Sequence, residues 1–351
     1  MKILLVRKQS RSMKMKKYLH KYRKSLAAFG MVLFIFIIVT VHYAFSPVDN
    51  QNVTVTVDIP RGTSFLQSVD ILEKAGLIKH RYLFYLLVIS RNAQGHIRAG
   101  EYELATSMSP MEIISKLVKG DIIAYPVTIP EDYTVREIAA RLAAFKLVEE
   151  NAFLSLSSDR KFLASLGIEG ASAEGYLYPD TYIFDKSMGV KDIMRIMVNQ
   201  FWKMFTPKMR KRADELGMTI PQIITIASII GKESGYKDEK PSVSAVFHNR
   251  QKKGMKLQSD PTAIYDLKYF SGTIKRKHLM RKTPYNTYVI NGLPPGPIAN
   301  PAFDSLNAAL YPAPVDYLYF VSNNNGSHQF SSNLSAHNKA VLKYQIERKK
   351  D

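Results

Sequence analysis

The sequence predicts an α+β body carried on a single N-terminal transmembrane helix, with the larger part of the body helical and a β-hairpin near the C-terminus. Three observations predict it. Twenty consecutive residues, Leu26 to Phe45, carry no charge. Beyond them, short alternating stretches such as VTVTVDIP (53–60) interleave with longer segments of helical period that open on capping residues. Near the end, YLYFVSNNNGSHQFSS (317–332) sets Asn325-Gly326, a strong turn signal, between two strand-like runs.

The charge-free run, LAAFGMVLFIFIIVTVHYAF, is long enough to cross a bilayer, since twenty helical residues span about 30 Å. It is too long for a signal-peptide core, and no small-x-small cleavage site follows it. Tyr22 on one side and Tyr43 and Phe45 on the other suit the two interfaces. Residues 1–25 form a basic tail: ten Lys or Arg fall within the first 26 residues and no acid does. Removing those ten from the 49 Lys and Arg leaves 39 against 30 acidic residues, so about half of the net charge of +19 sits in this tail. A basic tail alone would suit nucleic acid, but beside a spanning segment it reads as a cytoplasmic anchor. The positive-inside rule then places everything after Pro47 outside the cytoplasm, making the chain a single-pass protein of the inner (cytoplasmic) membrane with an exported body.

That body has room for two domains among the chain's 351 residues. There is no cysteine, which removes disulfides, thiolate nucleophiles and Cys-type zinc sites together. Residues 46–52, SPVDNQN, read as a polar linker. A strand over Val53–Ile59 follows, then a turn at Gly62-Thr63 and a helix with Ser64 and Gln67 at capping-box spacing. HRYLFYLLVISRN (80–92) is helical and GEYELATSMSP (100–110) a short strand and turn. Ser109, Pro110 and Glu112 supply cap, first-turn proline and capping acid for a helix through Lys119. VDIPRGTSFLQSVDIL (57–72) and VTIPEDYTVREIAARL (127–142) then align at an offset of seventy residues, a reused strand–turn–helix unit. From Thr134, capped by Glu137, the pattern is helical to about Gly167; EGYLYPDTYIF (174–184) is aromatic and turn-like. Helical signals return over Val190–Leu216 and from Pro221, the chain after Pro261 is loop-rich, and a helix closes it.

The stretch ASIIGKESGY (227–236) puts one carboxylate, Glu233, at the end of an isoleucine-rich helix, with Gly235 as the expected stop. Ile226, Ile229 and Ile230 lie seven, four and three residues before it and share its face, whereas Lys232 points elsewhere. Two readings are open. Glu233 is a solvated acid at a helix end, or it is held against apolar side chains where desolvation and the helix dipole both raise its pKa, as a general acid requires. No Ser-His-Asp order, phosphate loop or nucleic-acid motif stands out, and His328 and His337 lack a metal-ligand set, so neither a metal nor another cofactor is expected.

Six ordered motifs resolve the choice by resemblance: EGYLYPDTY (174–182), ASIIGKES (227–234), SAVFHNR (244–250), LQSDPTAIY (257–265), PYNTYVINGLPPGPIANP (284–301) and LYFVSNNNGSHQFSSNLSAHN (318–338). Together they resemble the YceG-like (MltG-type) endolytic murein transglycosylases, lyases of the bacterial cell wall, over roughly Val53 to Tyr344. The resemblance implies a LysM-like βα subdomain at 53–128 and a YceG-like catalytic domain at 129–346. It places the catalytic glutamate on Glu233, and the Glu-Ser pair is also similar, over a shorter stretch, to lytic transglycosylases of the lysozyme-like superfamily. The family often carries an acid just before its Lys-Glu pair, where this chain has Gly231. The implied substrate is the glycan strand of peptidoglycan, cut internally at the MurNAc–GlcNAc bond to leave a 1,6-anhydro end. The implied setting is beside peptidoglycan synthases at the membrane, with no nucleic acid involved. A muramidase using the same acid with water, and a non-enzymatic glycan-binding scaffold, are the alternatives.

Other residues of these motifs have two readings each. Glu174 and Asp260 are a second acid or turn caps. Gln258, Ser259, Tyr285 and Asn286 are neutral donors for N-acetyl and hydroxyl groups, or hydrogen-bonders within loops. Ser234 orients Glu233 or caps the helix end. Tyr176, Tyr178 and Tyr182 stack on sugar rings or pack in the core.

Overall fold

The structure is a computed structural model that describes residues 2–268 and 270–346, with the backbone alone for residues 2–20. Most of the basic side chains of the N-terminal tail therefore lie outside the described residues. Helix α1 (Lys2–Phe45) contains the uncharged span, and from Lys21 to Phe45 it is long and apolar enough to cross a membrane, with its apolar side chains exposed from Leu26 to Val41. That combination is what lipid contact requires and what a soluble core helix would avoid.

The chain divides into two compact units after Ile123. In the first, β1 (Thr54–Ile59), α2 (Phe65–Lys74), α3 (Arg81–Ser90), β2 (Gly100–Ala105) and α4 (Pro110–Lys119) follow one another. The two strands pair antiparallel, from Thr54 opposite Ala105 to Ile59 opposite Gly100. Both expected capping boxes form, Ser64 with Gln67 and Ser109 with Glu112, each satisfying two amides that the helix start would otherwise leave unpaired. Apolar faces of the strands and helices close over one core, which also takes in Tyr43 and Ala44 from the end of α1. The Tyr43 hydroxyl donates to the His80 carbonyl at 3.2 Å, so the spanning helix runs directly into this module.

The second unit begins with β3 (Tyr125–Thr128), α5 (Val135–Ala144), α6 (Glu150–Leu156), α7 (Arg160–Ser165) and β4 (Thr181–Phe184). It continues through α8 (Val190–Met204), α9 (Pro207–Glu215), α10 (Ile220–Glu233), α11 (Lys240–Lys252), α12 (Arg276–Leu279) and α13 (Phe303–Leu310). It ends with the hairpin β5 (Tyr319–Ser322) and β6 (His328–Ser331) and with α14 (Leu334–Val341). Helix α10 is its axis: every residue from Ile223 to Gly231 is buried, packed on α11 and α13. A helix apolar on all sides belongs inside a core, and that accounts for its isoleucines.

Three elements differ from the sequence expectation. The helix from Thr134 breaks into α5, α6 and α7: Lys146 turns left-handed at φ 56°, and Asp159 caps α7 by accepting from the Phe162 amide. Neither break carries the glycine or proline that would announce it. The end of EGYLYPDTYIF is not only a turn, because Thr181–Phe184 pairs antiparallel with β3. Helix α10 is stopped not by a left-handed Gly235 but by Ser234 in extended conformation (φ −135°, ψ 121°). The repeated unit is visible in both halves. β1 leads through a turn to Ser64-capped α2, and β3 leads through a turn to Thr134-capped α5.

Candidate active site

Glu233 closes α10 at the margin of the core, partly exposed yet with its carboxyl surrounded by protein. Burial pushes its pKa up to about 7, against the Ser259 hydroxyl, the Asp260 amide and the Arg250 charge, which all favour the ionised form; the nearby Asp260 carboxylate adds to the rise. Ser259 Oγ donates to Glu233 Oε1 at 2.5 Å. Ser259 is itself fixed, since its amide donates to Thr287 Oγ1 at 2.9 Å, and Thr287 pairs with Thr262 at 2.8 Å. Arg250 is buried on α11 and held by the carbonyls of Leu318 (2.7 Å) and Leu257 (2.6 Å). An acid near neutrality, one fixed hydroxyl on its carboxylate and a buried cation in its field are the parts that proton donation and return need.

The other sequence-selected residues fall into distinct places. Asp260 is exposed beside Glu233 and accepts a short hydrogen bond from the Tyr288 hydroxyl. Gln258 is exposed in a left-handed conformation (φ 49°), and its amide donates to the Thr287 carbonyl. Ser234 is buried, and its hydroxyl serves the turn to Tyr236 rather than Glu233. Asn286 is fully buried and donates to the carbonyls of Leu279 (3.0 Å) and Arg281 (2.7 Å), so its amide is spent on the protein's own backbone. Tyr285 lies partly buried with its ring 4.7 Å from that of Tyr265.

Glu174 belongs to a second buried network. It accepts from the Val135 amide (3.0 Å), the Asn300 side-chain amide (2.8 Å) and the Tyr265 hydroxyl (2.8 Å). Burial raises its pKa to about 7 despite those donors. Asn300 uses all four of its hydrogen-bonding positions there: Oδ1 takes the amides of Gly175 and Leu177, while Nδ2 serves Glu174 and the Tyr133 carbonyl. Gly175 must be glycine on two counts: φ is 87°, and a Cβ would come within 2.6 Å of Ile224 and Pro297. Tyr176, Tyr178 and Tyr182 are buried in the surrounding core. His328 contacts Glu239 at 2.8 Å and His337 stacks on Tyr319; among the described residues no group of three or more acidic or histidine side chains could hold a metal ion.

Gly231 has a structural counterpart. A Cβ built there would lie 1.9 Å from Asp132 Oδ1, so the Asp132 carboxyl occupies the space a side chain at 231 would need. Asp132 is carried by the turn after β3 in a left-handed conformation (φ 62°), and burial raises its pKa to about 6 while Lys240 opposes the rise. Sequence reasoning missed Asp132, Arg250, Thr287, Tyr288 and Asn300. The last four lie inside the selected motifs but carry no local signal of their roles, and Asp132 reaches Gly231 only through the fold.

Residues 57–343 match the YceG-like family. The chain is 34% identical over 318 residues to an endolytic murein transglycosylase of Bacillus subtilis, covering 85% of this chain and 87% of that protein. It is 28% identical to an endolytic murein transglycosylase of Streptococcus pneumoniae, covering 85% of this chain and 60% of that longer one. A crystal structure of a YceG-like protein from Listeria monocytogenes superposes with a TM-score of 0.57 at 35% identity, over 83% of this chain and all of that one. With the match spanning all but the N-terminal segment and the last few residues, the chain belongs to the YceG-like family.

Proposed function

We propose that the protein is a membrane-anchored endolytic murein transglycosylase in which Glu233 is the acid and then the base. The observation that carries the reading is Glu233 at the partly exposed end of α10, its carboxyl bonded by Ser259 and held by burial at a pKa of about 7. Protonated Glu233 gives its proton to the oxygen linking MurNAc to GlcNAc as the bond to the muramyl anomeric carbon breaks. The carboxylate so formed, steadied by Ser259 and Arg250, takes the proton of the muramyl 6-hydroxyl, whose oxygen bonds to the same anomeric carbon. The products are a GlcNAc end and a 1,6-anhydro-MurNAc end, with the acid restored and no water consumed. Asp260, beside Glu233 and held by Tyr288, is placed to offset positive charge developing on the sugar.

The same Asp260 gives a muramidase its best argument, since a second carboxylate can activate water. Mass analysis of strands digested by the purified protein separates the readings. Anhydro ends are expected; reducing ends, one water heavier, would mean hydrolysis, and uncut strands a binding scaffold.

The first unit, two strands and two helices with α4 appended, supports a LysM-like glycan-binding role at the base of the anchor. The anchor orientation follows from the basic tail, with residues 1–25 cytoplasmic and residues 47–351 outside the inner membrane. Protease added to spheroplasts is expected to digest the body and spare the tail; a protected body would reverse the orientation. Strands would then be cut close to where they are polymerised, which suits a terminator of elongation.

A further inference from the structure

Residues 267–285 hold six Lys or Arg, one His and no acid. Arg281 is paired to Asp266 at 2.9 Å, while Lys275, Arg276, Lys277 and Lys282 are exposed and meet no carboxylate among the described residues. Two open grooves flank α12. One, of about 700 Å³, mixes an apolar floor (Leu279, Met280, Val289) with Arg276 and Lys282. The other, of about 750 Å³, is lined by Lys275, Lys277, His278 and Arg281.

This basic segment is tied to the catalytic carboxyl rather than hung on the surface. Buried Asn286 holds its backbone at Leu279 and Arg281. The next residue, Thr287, fixes the Ser259 that bonds Glu233. Tyr288, which lines the first groove, holds Asp260. A strand positioned at Glu233 therefore has a cationic groove with an apolar floor within one or two side chains of the scissile bond.

We infer that the grooves beside α12 bind the acidic peptide stem borne on the lactyl group of the muramyl residue, so that the enzyme selects peptide-bearing over bare glycan. The inference rests on the proposed activity for its setting. Stem peptides offer what the groove lacks: free carboxylates for Arg276, Lys277 and Lys282, and small aliphatic side chains for the floor. An anionic lipid surface would also match the charge, but it would gain nothing from the connection to Ser259 and Asp260.

The test uses the full-length protein in detergent, with peptide-bearing strands and with the same strands stripped of peptide by an amidase. Arg276→Glu/Lys277→Glu reverses two exposed, unpaired charges, so folding should be retained. Lys252→Glu/Lys253→Glu, at the exposed end of α11, is the charge-matched control. On peptide-bearing strands the first variant should raise KM about tenfold with kcat unchanged, the scale of two or more weakened ion pairs. On stripped strands it should change KM by less than about twofold, and the control should change neither. Equal loss on both substrates, equal loss in the control, or no loss at all would overturn the inference, as would release from anionic-lipid vesicles with KM intact. Binding of both strand types is also measured with Glu233→Gln protein, which does not depend on turnover. A protein that prefers peptide-bearing strands but cuts neither would sink the proposed activity and leave the stem site standing.

Discussion

Glu233→Gln is expected to lower the formation of anhydro ends by at least about a hundredfold, the lower scale for losing a positioned general acid. Glutamine keeps an oxygen to accept from Ser259 but has no acidic proton to give. Stability should move the other way. The native pKa of Glu233, about 7, lies above its ordinary 4.5, so its favourable contribution is complete below about pH 4.5 and is lost as pH rises through 7. Above that pH the charged carboxyl is a native-state burden on the order of 1–3 kcal/mol, reduced by its partial exposure, which the variant lacks. Parental kcat/KM should fall about tenfold per unit above pH 7 as the protonated fraction declines. Three measurements decide it: product mass against time, the pH profile and the melting temperature at pH 8. Parental rates from folded Glu233→Gln would remove it as the acid and turn attention to Asp260.

Glu174→Ala should have the largest effect on folding. It strands the Val135 amide, the Asn300 amide and the Tyr265 hydroxyl in a buried site. Three lost acceptor contacts should cost on the order of 3–5 kcal/mol. For a domain of this size the melting temperature should fall by roughly 10 °C. Glu174→Gln, which retains one acceptor oxygen, should lose less. Because the Glu174 pKa is also raised to about 7, parental stability should decline from pH 5 to pH 8, and Glu174→Gln should flatten part of that decline. An unchanged melting temperature in Glu174→Ala would show that the network does not hold the second unit together.

Glu174 and Glu233 separate what sequence can and cannot decide. Both were visible as acids in aromatic or isoleucine-rich motifs, and both are desolvated to a similar degree. Their difference lies in their partners. Glu174 is saturated by a backbone amide, Asn300 and Tyr265 on a buried residue, whereas Glu233 is met by the Ser259 hydroxyl and the Asp260 amide on a residue that is only partly buried. The partners of Glu174 come from 39, 91 and 126 residues away and the Ser259 hydroxyl on Glu233 from 26, distances at which local pattern carries no information.

What the sequence determined by itself is what nearest neighbours enforce. The uncharged span follows from hydrocarbon thickness, the helix starts at Ser64, Ser109 and Thr134 from amides that a side chain two or three residues back must satisfy, and the apolar face of α10 from its own period. Only the tertiary structure decided the rest. It broke the helix after Ala144 without glycine or proline, paired β4 with β3 across more than fifty residues, and committed the Asn286 side-chain amide to backbone carbonyls, the second of its two readings. It also filled the space at Gly231 with Asp132. The physical reason is the same each time: a buried polar group must find a partner wherever the fold supplies one, and that partner is a property of packing, not of spacing along the chain.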